Sequence, residues 1–306
     1  MFISTSDKYF GLIRKEAKRV PSENIIREPM RRDTALAEGV GATYIHHYDP
    51  DAVICNFPCD HLISPISIFE KQMKQLVEVA YKTKLFATIG IKPDRPHPGL
   101  GHVKALKKLD ADVLLGEKFV EKPPFEIAKK YTQSGYYYWN AHLFTWKAST
   151  FLELLKKHAP KTYSLLPKLE KSIGTEKERQ TLQLVYQMAP SVATDYAVAE
   201  KLKKFIVIPA KFNWSDVGDW AEVWKHLPKD SQGNVILGLK GRGQLVGLES
   251  QNNLLILDKQ LIALVGLKDM IVVDTPDAIL IGPKDNAEAV KKIVEALKEQ
   301  KSTEYI

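Results

Sequence analysis

The sequence predicts an α/β domain built on a mostly parallel sheet with helices on both faces, followed by a small all-β module. Two patterns carry this prediction. Apolar strand-like runs alternate with helix-like segments through the first half, and a series of strand-like runs about eight to ten residues apart follows residue 234 without intervening helices. Length adds a third argument: 306 residues exceed what one core of ~250–300 residues usually organises, so two domains are expected. The boundary falls at the polar, Gly-containing Asp230-Ser231-Gln232-Gly233, giving domains 1–230 and 231–306.

Phe2-Ile3-Ser4-Thr5 reads as the first strand, and Ser6 or Asp7 can cap a helix reaching about Lys18, with Phe10, Ile13 and Ala17 at helical spacing. Ile25-Ile26 is a second strand that stops at Glu28-Pro29, and Thr34 can cap a helix over 35–47. A strand over 52–57, a helix over 67–82 and a strand over 86–91 continue the alternation. After Pro98-Gly99-Leu100-Gly101 the pattern loosens into a β excursion over 102–123, then a helix over 125–134, the aromatic run Tyr136-Tyr137-Tyr138-Trp139 and a helical region over 149–187. Strands over 235–238, 244–248, 254–257, 262–265, 271–273 and 278–281 make the last module, closed by a helix in which Ala287, Val290, Ile293, Val294 and Leu297 share a face.

Composition narrows the class. With 44% hydrophobic and 26% charged residues and only two cysteines, the chain is neither a disordered polymer nor a disulfide scaffold. Cys55 and Cys59 offer no CxxC pair and no second pair for zinc, so they read as reduced thiols in or near the core of a cytoplasmic protein. Stretches free of acid and base, such as 131–146, carry Ser, Gly, Asn and His and fall short of the ~20 apolar residues of a membrane span. Nothing after Met1 reads as a secretory signal. The net charge is +7, and residues 235–306 hold nine Lys and Arg against ten Asp and Glu, so the excess lies before them. Mixed with acids throughout, it fits a soluble surface that meets phosphate-bearing small molecules, with no nucleic acid polymer expected.

Several segments carry residues suited to phosphate and sugar chemistry. Asp60 follows the apolar strand 52–57 directly, and Pro58 forces the turn that presents it at the carboxyl edge of the sheet, where open α/β folds bind ligands. Asp216 lies in Trp214-Ser215-Asp216-Val217-Gly218, where Gly218 permits a turn that a Cβ would resist. Mg2+ on a nucleotide takes one or two protein carboxylates, so Asp60 with Asp216 would suffice; either could equally be a helix cap. Glu121 and Lys122 end a strand on opposite faces, one able to accept from sugar hydroxyls and the other to meet a phosphate, or the two form a solvated ion pair. Asn140 offers both donor and acceptor to a pair of hydroxyls. Glu28, Arg32, Asp33 and Thr34 precede a helix N-terminus, whose amides favour anions, or simply begin an ordinary capped helix.

Taken in order, these segments resemble the mannose-1-phosphate guanylyltransferases, a branch of the sugar-phosphate nucleotidyltransferases. The matching runs are Glu-Asn-Ile-Ile-Arg-Glu-Pro with Arg-Asp-Thr-Ala (23–29, 32–35), Pro-Cys-Asp-His (58–61), Gly-Leu-Gly (99–101), Phe-Val-Glu-Lys-Pro (119–123), Tyr-Trp-Asn (138–140), Thr-Asp-Tyr-Ala-Val-Ala-Glu-Lys (194–201) and Trp-Ser-Asp-Val-Gly (214–218). Each run alone is weak; their order over residues 1 to about 298 is specific. The resemblance implies a Rossmann-like nucleotidyltransferase domain and a C-terminal module like a short left-handed β-helix. It implies GTP and mannose-1-phosphate as substrates, GDP-mannose and pyrophosphate as products, and Mg2+ held by Asp60 and Asp216. Glu121 and Asn140 would bind mannose hydroxyls, Gly101 would pack on the sugar, Lys122 would contact its phosphate, the loop from Glu28 to Thr34 would lie against guanine, and Pro58 would be among the substrate-binding residues. A homodimer is compatible with it.

Two departures qualify this. The family opens with a strand, a Gly-rich loop and a Pro-Lys-Gln segment that cradle the triphosphate, whereas Met1 here begins at what resembles the second strand. That implies an N-terminally incomplete domain lacking one inner strand, and an activity that depends on the missing loop. Where the family carries Gly, this sequence has His142, which puts a side chain where it can crowd the sugar pocket. The alternatives are a non-catalytic sugar-nucleotide binding or regulatory protein, and a transferase for another hexose-1-phosphate.

Overall fold

Strand and helix alternate through the first two hundred residues, as the periodicity predicts. β1 (Ile3–Ser6), α1 (Phe10–Glu16), β2 (Ile25–Glu28), α2 (Asp33–Tyr48), β3 (Val53–Cys55), β4 (Leu62–Ser64), α3 (Ile66–Thr83) and β5 (Ala87–Ile91) come first. β6 (His102–Asp110), β7 (Val113–Val120), α4 (Phe125–Ser134), β8 (Tyr137–Asn140) and β9 (Thr145–Lys147) follow. Then come α5 (Ala148–His158), α6 (Pro160–Tyr163), α7 (Leu166–Glu170), α8 (Glu178–Met188), α9 (Thr194–Ala197), β10 (Phe205–Pro209) and β11 (Asn213–Ser215). The computed structural model describes residues 1–110, 112–238, 244–258 and 260–305. They form two units, Met1–Cys59 with Ile63–Trp214, and Asp60–Leu62 with Ser215–Ile306.

The sheet of the first unit has the order β10-β7-β6-β8-β5-β9-β3. β10 also runs parallel to β5, whereas β6, β7, β8 and β9 pair antiparallel with their neighbours. The physical reason lies in the connections. A short connection returns β7 antiparallel along β6, and β8 and β9 succeed one another along β5, both running against it. This is the stretch where the sequence pattern loosens. β1 and β2 pair in parallel as a separate two-stranded sheet.

Successive residues of β5 and β10 point to opposite faces, and the two faces bury different clusters. On one, Phe86, Phe205 and Val207 join Leu36 and Val40 of α2 with Phe144, Trp146, Phe151 and Leu155. Trp146 stacks on Phe151 with ring centroids 4.0 Å apart. On the other, Ala87, Ile89, Ile206 and Ile208 pack with Met73, Leu76 and Ala80 of α3.

Three local expectations change. Neither Ser6 nor Asp7 caps α1 with its side chain; a 3-10 turn, Asp7–Tyr9, leads into it. Thr34 does not cap α2, which begins at Asp33: its Oγ1 accepts instead from the Thr194 amide at 2.8 Å, and its own amide donates to the Asp33 carboxylate at 2.8 Å. Cys55 is half-buried, but Cys59 is exposed, since β3 ends at Cys55 and the Pro58 turn carries Cys59 outward.

In the second unit α10 (Trp220–His226) precedes β12 (Val235–Gly238), β13 (Gln244–Leu248), β14 (Leu254–Leu257), β15 (Leu261–Val265), β16 (Met270–Asp274), β17 (Ile279–Pro283) and α11 (Val290–Glu299). Alternate strands join alternate ladders. β12-β14-β16 pair in parallel, as do β13-β15, and β17 closes antiparallel on β16. The backbone therefore coils as a β-helix does. Buried asparagines stack between coils: Asn234 Oδ1 accepts from the Asn253 amide at 2.9 Å, and Asn253 Oδ1 from the Met270 amide at 2.9 Å. α11 is amphipathic as read, but of its predicted apolar face only Ala287, in the preceding turn, is buried, and Ile293 is 55% exposed.

Candidate functional site

Five side chains, carried by or next to four elements, converge in the first unit. Glu38 projects from α2, Glu121 follows β7, Asn140 ends β8, His142 follows it by two residues, and Asp195 lies in α9. Gly101 is the reason they can approach. A Cβ there would stand 2.5 Å from Glu121 Oε2 and 3.2 Å from Asn140 Cβ, while the Gly101 carbonyl accepts from the Asn140 amide at 2.8 Å. Its role in this structure is to make room for Glu121.

The Glu121 side chain is only 10% exposed, and its amide donates to Glu200 Oε1 at 2.8 Å. Burial, reinforced by the nearby Asp195 carboxylate, pushes its carboxyl up to about 7, against the opposing pull of Lys122 and His142. Lys122 does not face away from Glu121 as strand alternation suggests. β7 has already ended, and a φ of 44° at Lys122 brings its ammonium to 3.4 Å from Glu121 Oε1. The two side chains thus form an ion pair, with Lys122 exposed and Glu121 buried.

Asn140 donates through Nδ2 to Asp195 Oδ1 at 3.3 Å, and its Oδ1 accepts from the His142 amide at 3.1 Å. His142 takes the left-handed backbone, φ 53°. Its ring turns to Glu38, with Nε2 3.0 Å from Oε1, and to Asp195, with Nδ1 3.6 Å from Oδ1. The backbone thus adopts the conformation a Gly would have there, and the side chain joins the cluster. Thr194 ties the arrangement to α2, since its hydroxyl donates to Glu38 Oε2 at 2.9 Å and its amide to Thr34 Oγ1 at 2.8 Å.

Sequence reasoning missed Glu38, Thr194, Asp195 and Glu200 as site residues. Three of these stand in the Thr-Asp-Tyr-Ala-Val-Ala-Glu-Lys run, and Glu38 lies one helical turn after Thr34, the signal that could have found it. The remaining loop residues are anchored locally. Glu28 accepts from Ser4 Oγ at 2.6 Å, and Arg32 Nε donates to the Tyr186 carbonyl at 2.8 Å.

Asp60 and Asp216 both fall in the second unit. Neither caps a helix: α3 begins after Pro65 without a side-chain cap, and Asp219, not Asp216, caps α10 by accepting from the Glu222 amide at 2.9 Å. The left-handed residue in the Asp216 turn is Val217, φ 47°, a conformation that strains a β-branched side chain. Gly218 serves another purpose, since a Cβ on it would meet Asp216 Oδ2 at 2.9 Å. Among the described residues no group of three or more His, Cys, Asp or Glu is arranged to hold a metal. A pair of carboxylates is the donor set that Mg2+ takes when phosphate and water complete its shell, and falls short of a closed protein cage.

The nucleotidyl transferase family model matches residues 2–233. The chain belongs to the nucleotidyl transferase family. Within that family, residues 243–297 match a second model, the MannoseP isomerase/GMP-like beta-helix domain, in line with the coiled second unit. A putative mannose-1-phosphate guanylyltransferase of Vibrio cholerae is 34% identical over 304 residues, covering 99% of this chain and 64% of the relative. The mannose-1-phosphate guanylyltransferase of Escherichia coli K12 is 33% identical over 287 residues, covering 90% of this chain and 58% of the relative. The chain thus spans about three-fifths of the length of these curated relatives. A crystal structure described as mannose-1-phosphate geranyltransferase from Thermus thermophilus superposes with a TM-score of 0.83 at 26% identity, covering 97% of this chain and 84% of that one.

Proposed function

We propose that this family member acts in nucleotidyl transfer from GTP to mannose-1-phosphate, giving GDP-mannose and pyrophosphate, with residues 1–230 as the transferase domain and 231–306 as its C-terminal module. The observation that carries the reading is the convergence of Glu121, Asn140 and Asp195 beneath Lys122: acceptors and donors for neighbouring hydroxyls, with a cation above them for a phosphate. The names borne by the Vibrio and Escherichia relatives support it.

In this reaction an oxygen of the sugar phosphate forms a bond to the α-phosphorus of GTP, the bond to the bridging oxygen breaks, and that electron pair leaves with pyrophosphate. Little covalent work falls to the protein; orientation and charge neutralisation supply most of the acceleration. Glu121 and Asn140 orient the hexose, Gly101 keeps the floor of the pocket open, and Lys122 neutralises the sugar phosphate. Glu28, Arg32, Asp33 and Thr34 lie against guanine, and Pro58 binds substrate. Asp60 and Asp216 would hold Mg2+, which when bound offsets phosphate charge. The same reading puts the chain in the cytoplasm, and no helix among the described residues is long and apolar enough to cross a membrane.

The test is pyrophosphate release with GTP, mannose-1-phosphate and Mg2+, run beside glucose-1-phosphate and beside ATP, CTP and UTP. The reading expects the GTP and mannose-1-phosphate pair to be fastest. Release with glucose-1-phosphate but not with mannose-1-phosphate would sink the sugar assignment.

A further inference from the structure

His142 holds a backbone conformation that Gly enters freely and other residues resist, and such strain persists only where the surroundings over-determine it. The surroundings here are two acids. The Glu38 and Asp195 side chains are 9% and 8% exposed, and the imidazole lies between them, a quarter exposed. Without a counter-charge both carboxylates would be buried and unpaired. Burial pulls the His142 ring toward neutrality, but the Asp195 and Glu38 carboxylates beside it more than reverse this and raise it to about 10. The groups facing it are Glu38 from α2, Asp195 from α9, Glu121 after β7 and the Phe144 ring, whose centroid is 4.2 Å from that of the imidazole.

The same residue governs Asn140 from both ends. The His142 amide donates to Asn140 Oδ1, fixing which end of the amide is oxygen, and Asp195, held by the His142 ring, accepts from Nδ2. One Nδ2 hydrogen remains to be given among the described residues, and Asn140 Cβ and Glu121 Oε2 both lie against Gly101, 3.2 and 2.5 Å from where a Cβ would stand.

We propose that His142 is a positioning residue of the sugar site: clamped between Glu38 and Asp195, it fixes the Asn140 amide so that the free Nδ2 hydrogen and the Glu121 carboxylate meet neighbouring hydroxyls of a hexose. The proposal rests on the hexose-phosphate reading given above, and deepens it by naming the group that sets the geometry.

His142→Gly tests it, because Gly suits the left-handed backbone and leaves a space the size of an imidazole. Titration calorimetry with GDP-mannose should show an affinity lowered by about tenfold or more, the scale of a lost charge-assisted hydrogen bond. Added imidazole should restore much of it, while pyrazole, of the same size but neutral, should not. A merely structural residue would lower the melting temperature and leave the affinity of the folded protein alone. Unchanged affinity in His142→Gly, or equal rescue by pyrazole, overturns the proposal. Nitrogen NMR of the wild-type ring gives an independent arm: both nitrogens should be protonated at pH 8, and a neutral ring there also overturns it. Wild-type protein that binds no GDP-mannose overturns the hexose reading instead, and the ring spectrum still decides the clamp.

Discussion

Replacing Glu121 by Gln separates the stability of the site from its use. The folded protein holds the Glu121 proton more tightly than the unfolded chain, at about 7 against 4.5. Below pH 4.5 this carries no cost. Between 4.5 and 7 the unfolded state gives up its proton while the folded state keeps it, so stability falls as pH rises, and above 7 the full cost remains. The shift corresponds to about 3 kcal/mol at roughly 1.4 kcal/mol per unit. Integrated between two accessible conditions, Glu121→Gln should gain about 2.5 kcal/mol more over wild type at pH 8 than at pH 5. Urea unfolding at the two pH values, followed by circular dichroism, measures this. Identical pH slopes in the two proteins would refute the reasoning, because the carboxyl would then have no unusual environment in the fold. The same variant should bind GDP-mannose more weakly at pH 8, where wild type presents a full carboxylate and Gln cannot.

Gly101→Ala should lower both stability, by about 1–3 kcal/mol, and GDP-mannose affinity, because the new Cβ has only 2.5 Å to Glu121 Oε2 and must displace it; thermal melting and calorimetry read the two effects. Asp60→Asn and Asp216→Asn should each abolish Mg2+-dependent pyrophosphate release while changing stability by less than about 0.5 kcal/mol, and a large drop in melting temperature would contradict the assignment. Asn253→Ala should destabilise the second unit by about 1–3 kcal/mol, since it leaves the Met270 amide without its acceptor; hydrogen exchange at β16 would reveal it.

The order of strands and helices was legible because periodicity is a local property, and the predicted helix over 125–134 coincides with α4. The antiparallel pairing of β6 to β9 was not, since pairing depends on which distant strand offers an edge. β10, buried at four of its five positions, went unremarked in the sequence even though it borders both β5 and β7. At the site, Glu121, Lys122, Gly101 and Asn140 could be named from their motifs and do come together in space. Their geometry could not: strand alternation places Lys122 opposite Glu121, and only the left-handed turn after Val120 reverses that. His142 illustrates the limit most clearly. The sequence marks it as an intruder at a position suited to Gly, whereas its three-dimensional neighbours, Glu38 from 104 residues earlier and Asp195, make it the counter-charge of the cluster.

The asparagine stack of the second unit sets the unit in which that module can change. Asn234 and Asn253 lie 19 residues apart, and Asn253 reaches the Met270 amide 17 residues further on, so each side chain supplies a backbone group in the next turn. The two coils differ in length by two residues and still keep the stack, so what constrains the module is the register of each asparagine with the next turn's amide and not the number of residues between them. Whole-coil additions would keep that register intact, and the outermost turn is the place where such growth or loss has to begin.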